Sequence, residues 1–126
     1  MMHNYKNLVV LENKTETSVS EIIGVRNAKR VVLAFTTDRT AGSCIFTVQA
    51  TIDRSVDENW VESVIMVSNT PHNVSQEEQR TLSATLTEDG TYLYALDLQF
   101  FNYDAIKVKL TENGTGTSSC GILVEY

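Results

Sequence analysis

The sequence predicts an all-β protein, a jelly-roll-like antiparallel β-sandwich of eight or nine strands, and three observations carry that prediction. Apolar residues recur with a period of two rather than 3.6 in nearly every segment that has a period, which is the signature of strands with one buried face. Clusters of Gly, Asn and Asp punctuate these segments. The strands follow one another at short, regular spacing with no internal repeat and no linker, as expected of two packed antiparallel sheets in one domain spanning residues 1–126.

In chain order, residues 1–7 are polar apart from the two methionines and Tyr5 and read as a short N-terminal arm. Residues 8–12 and 20–25 read as two short strands near an edge. Val31, Leu33 and Phe35 alternate with Val32, Ala34 and Thr36, and Cys44, Phe46, Val48, Ala50 and Ile52 alternate with Ile45, Thr47, Gln49 and Thr51, so each run reads as a strand with one face buried. Leu82, Ala84 and Leu86 repeat the pattern, and Ile106, Val108 and Leu110 against Lys107, Lys109 and Thr111 form its cleanest instance. Residues 60–68, 91–98 and 119–126 have high strand propensity, yet apolar groups stand on both of their faces. Asp38 to Gly42, Glu88-Asp89-Gly90 and Asn113-Gly114-Thr115-Gly116 read as hairpin turns, where glycine supplies a positive φ. The polar stretch 69–80 holds the single proline, Pro71, and cannot be a central strand; Ser75 and Glu78 within it have capping-box spacing for one helical turn. An immunoglobulin-like sandwich of seven strands is the competing architecture, but Cys44, Trp60 and Cys120 lack its spacing.

Composition narrows the partners. Ten basic against sixteen acidic side chains give a net charge of −6, and the basic residues are scattered singly, so no positive track exists to neutralise phosphates of nucleic acid or anionic lipid. Apolar runs such as 31–35 are far shorter than the ~20 residues that cross a bilayer. Residues 1–7 lack the basic start and apolar middle of a secretory signal, which suggests use without export and makes the sequons at Asn13, Asn73 and Asn113 coincidental.

Catalytic chemistry finds no foothold. The two histidines are His3 in the arm and His72 beside Pro71, and no motif fixes a nucleophile near either. His72, Glu77 and Glu78 offer metal-binding side chains only from one loop, so no metal and no cofactor is expected. Cys44 and Cys120 fall on apolar strand faces with no basic neighbour, which predicts protonated, inert thiols. Asp53, Asp57 and Glu58, like Glu88 and Asp89, read as solvated loop acids without the Asp and Gly spacing of a calcium loop, and Gly114-Thr115-Gly116 lies between strands rather than before a helix, so it is no phosphate cradle. Trp60, Tyr92, Tyr94, Phe100, Phe101 and Tyr103 read chiefly as core and corner residues, with a partly exposed aromatic patch around Phe100, Phe101 and Tyr103 as the first candidate binding surface. Tyr5 in the arm, and His72 and Asn73 in the long polar loop, complete the candidate binding residues.

Two stretches, FTVQATIDRSVDENWVESV at 46–64 and LDLQFFNYDAIKVKLTENGTGTSSCGILVEY at 96–126, are similar in strand order to discoidin-like, galactose-binding jelly rolls. The same stretches, with NAKRVVLAF at 27–35, resemble small β-sandwich virion proteins of tailed phages, including head decoration proteins. The discoidin pattern's Gly before the Trp is replaced by Val56-Asp57-Glu58-Asn59, and its terminal cysteines are missing. The phage resemblance implies a non-enzymatic capsid decoration protein of the virion, assembled in the host cytoplasm, that binds the major capsid protein and itself as a homotrimer. The discoidin resemblance implies a carbohydrate-binding module.

Overall fold

A computed structural model describes residues 5–56, 60–67, 80–96, 98 and 103–126. It is all-β: β1 (Tyr5–Lys14), β2 (Ser18–Val19), β3 (Ile23–Gly24), β4 (Arg30–Thr51), β5 (Val61–Glu62), β6 (Ile65–Val67), β7 (Arg80–Thr81), β8 (Ala84–Leu86), β9 (Gly90–Leu96) and β10 (Ala105–Glu125). Every pairing among them is antiparallel.

Two long strands organise the molecule. β4 runs for 22 residues and β10 for 21, and they stay paired from Arg30↔Glu125 to Thr51↔Ala105. This ribbon folds over on itself. Its outer half, Arg30–Thr37 with Ser118–Glu125, carries β1 on one side and β9, β6 and β7 on the other. Its inner half, Cys44–Thr51 with Ala105–Glu112, carries β2 and β3 beside β10, and β5 and β8 beside β4. The two halves are the two layers of the sandwich, and Phe35 and Phe46, 11 positions apart in one strand, stack across the core with ring centroids 4.3 Å apart and planes 7° from parallel.

Three of the segments read as hairpin turns are therefore corners. At Asp38 to Gly42 and Asn113 to Gly116 the ladder continues without reversal, and Glu88-Asp89 carries the chain from β8, beside the inner half of β4, to β9, beside its outer half. Glycine serves the corner as it would have served a turn. Gly42 has φ +72°, and a Cβ on Gly114 would stand 2.3 Å from the Ala41 carbonyl oxygen, so the two backbones touch where the ribbon bends. Arg39 pairs with Gly116 and Ala41 with Thr115, which leaves Thr40 as an extra residue in β4. One extra residue exchanges the faces of a strand. Accordingly Val31, Leu33, Phe35 and Thr37 are buried before it, and Cys44, Phe46, Val48 and Ala50 after it.

Other boundaries shift for comparable reasons. Tyr5, Lys6 and Asn7, expected in the arm, pair with Glu125, Val124 and Leu123 in β1. Ile52 and Leu82 are exposed rather than buried, because β4 ends at Thr51 and β8 begins only at Ala84. The capping-box segment around Ser75 and Glu78 lies outside the described residues.

Two ionic clusters sit at the ends of the core. At the bend, the Arg39 and Glu112 side chains are each 4% exposed and form a bidentate pair, Nη1 donating to Oε1 at 2.7 Å and Nη2 to Oε2. Nη2 also donates to the carbonyls of Ala41 (3.0 Å) and Ser43 (3.2 Å) at the bend. Gly116 is required beneath this guanidinium, whose Cζ lies 2.7 Å from where a Cβ would stand. At the opposite end, buried Asp104 accepts from Arg54 N (2.9 Å), Arg54 Nε (2.9 Å) and Arg26 Nε (3.1 Å).

Candidate functional site

The outer face of the β1–β10–β4–β9–β6 layer is the site. Register decides its composition. Opposite residues in antiparallel strands share a face, so the positions between the buried ones form continuous rows across the layer. One row is Val9, Gly121, Ala34 and Leu93; the next is Asn7, Leu123, Val32, Ala95 and Met66. Val9 is 68% exposed and Leu93 43%, while Gly121 and Ala34 between them floor an open hollow of about 360 Å³.

Polar groups bound these rows at both ends. On the bend side stand Ser119, Thr36 and Thr91, the two threonine hydroxyls 3.1 Å apart. On the far side stand Tyr5, Glu125 and Arg30, with Arg30 Nη2 donating to Glu125 Oε2 at 2.8 Å. An apolar centre inside a polar rim is the anatomy of a docking surface. This arrangement offers a partner area and shape.

Tyr5, half exposed, belongs to this rim, in a strand rather than in a free arm. Tyr103 does not: it is 7% exposed, and its hydroxyl lies 3.4 Å from Ser63 Oγ, so it fills the core instead of forming an exposed aromatic patch. His72, Asn73, Phe100 and Phe101 lie outside the described residues. The apolar rows were announced only by the two-sided apolar character of 91–98 and 119–126 and by Val32 and Ala34 on the face opposite Leu33.

Several other candidate side chains are engaged structurally. Tyr94 packs on Phe35 at 5.2 Å, the Tyr92 hydroxyl donates to the Glu88 carbonyl at 2.9 Å, and Lys107 Nζ lies 4.3 Å over the Trp60 ring. These rings do not form an open platform for stacking on sugars. Cys44 and Cys120 are free and fully buried, and burial pushes the Cys120 thiol up to about 12. Hydrogen bonds from Arg54 hold the Asp104 carboxyl well below the usual carboxylate range, and those from Arg39 lower that of Glu112. Among the described residues no group of three His, Cys, Asp or Glu side chains is placed to hold a metal ion.

Fold and site together define an antiparallel all-β sandwich that presents an apolar sheet face inside a polar rim. No protein-family model and no curated protein sequence matches the chain. Among solved structures, the crystal structure of the SPBc2 prophage-derived protein YomS has the same fold, with a TM-score of 0.68 over 98% of this chain and 96% of that chain at 14% sequence identity.

Proposed function

We propose that this chain is a non-enzymatic structural protein of a tailed-phage particle, a capsid decoration protein that binds the outer capsid surface and stabilises it. The observation that carries this reading is the end-to-end likeness of fold to a prophage-derived protein. A sandwich whose most developed surface is an apolar sheet face, and whose buried Asp104, Arg39 and Glu112 side chains are tied into ion pairs, suits a role in assembly rather than turnover.

Co-sedimentation of the purified protein with capsids that lack it tests the reading. Saturable binding, with the loaded capsids resisting heat or chelation better than bare ones, is the expected result. No binding to any capsid from the same source, together with tight retention on a glycan array, assigns the protein to the carbohydrate-binding class instead. Repeating the assay without residues 1–4, which precede β1, tells whether the chain's start contributes to docking.

A further inference from the structure

The apolar face calls for an occupant, and its charge distribution selects one. The chain carries a net charge of −6, so two copies repel each other over most approaches. Among the described residues that make up these rows and their two rims, the excess acid is missing. The carboxylate within them, Glu125, is neutralised by Arg30 at 2.8 Å, and Arg80 stands at the far edge, opposite Met66. This is a face on which two copies meet without like-charge repulsion.

Shape points the same way. The row Val9, Gly121, Ala34, Leu93 places its large side chains at the ends and its smallest residues over the hollow in the middle. A two-fold related copy sets the projecting Val9 or Leu93 of one chain into the Gly121–Ala34 hollow of the other, and the symmetry makes the fit reciprocal. Strand and residue spacings give the face, rim included, about 24 Å by about 27 Å, on the order of 600 Å² per copy. Two such faces bury on the order of 1,200 Å², the lower end of what a specific interface needs, which predicts a dimer of micromolar rather than nanomolar affinity. The free edge of β1 is a poorer route to self-association, because register shifts between Val9 and Leu11 and between Leu11 and Lys14 break the regular edge that strand addition requires.

We propose that the chain pairs with a second copy of itself through this face, sheet on sheet about a two-fold axis, in place of the trimer that the phage resemblance implies. The pairing does not depend on the phage reading. Sedimentation velocity or light scattering from about 1 to about 200 μM tests it at 0.15 M and 0.5 M salt. The mass is expected to rise from 14.1 kDa to twice that value, undiminished at high salt because apolar area drives it. Val9→Asp and Leu93→Asp, each placing like charges against the partner's face, are expected to hold the mass at the monomer value with an unchanged melting temperature; two variants guard against one failing to fold. Val61→Asp, exposed on β5 in the other layer, is expected to leave the dimer intact. A wild-type mass that stays at 14.1 kDa throughout overturns the proposal, as does a trimeric mass, or a dimer that survives both face substitutions. If the wild type stays monomeric and Leu93→Asp abolishes capsid binding, the face belongs to the capsid subunit.

Discussion

Phe35 and Phe46 give the folded-over ribbon its sharpest test. They are fully buried, lie in one strand, and meet only because that strand bends between them. Truncating either to Ala removes a large buried ring and leaves a cavity, at a cost of about 3–5 kcal/mol. Both truncations together approach the whole stability of a domain, about 5–15 kcal/mol. Leu substitutions keep the protein folded, so Phe35→Leu, Phe46→Leu and the double variant make the usable cycle. Each single change is expected to destabilise by about 1–3 kcal/mol. The stack, with centroids 4.3 Å apart, is expected to appear as a coupling of about 0.5–1.5 kcal/mol between them. Urea unfolding followed by Trp60 fluorescence and circular dichroism supplies the midpoints and slopes. Additivity within about 0.3 kcal/mol would refute the fold-over, because two residues on separate hairpins need not touch.

Deleting Thr40 removes the extra residue of β4 and is expected to turn Cys44, Phe46, Val48 and Ala50 outward, abolishing cooperative unfolding; a deletion variant with wild-type spectra and slope rejects the bulge. Asp104 and Glu112 have folded pKa values lowered from 3.8 and 4.5, so the stability they supply is complete above those values and drains as the pH falls through them toward the lower folded values. Asp104→Asn is therefore expected to weaken the protein at neutral pH and to flatten its acid unfolding curve, the two curves drawing together only as the pH falls below 3.8 toward the much lower folded value, whereas parallel curves would show that the carboxylate is not stabilised by Arg54 and Arg26. Cys44 and Cys120 are expected to react with a thiol reagent only at the rate of unfolding, and rapid labelling of either in the native protein contradicts their burial.

The alternation of Val31, Leu33 and Phe35, of Cys44 to Ala50, and of Ile106 to Leu110 was enough to mark strand segments with one buried face, because a period of two is written locally. It was enough, too, to place both cysteines inside. Asp38 to Gly42 and Asn113 to Gly116 were legible as irregular backbone but not as corners. A positive φ at Gly42 serves a hairpin and a bend equally, and only the pairing of Gly42 with Gly114 decides between them. The apolar face was hidden for the same reason. Val9, Ala34, Leu93 and Gly121 each look like a stray apolar residue in their own segments, and they become one surface only through the register of β1, β10, β4 and β9. Local periodicity determines which side of a strand is buried; which strands lie side by side, and so what the other side becomes, is set by long-range pairing that no single segment encodes.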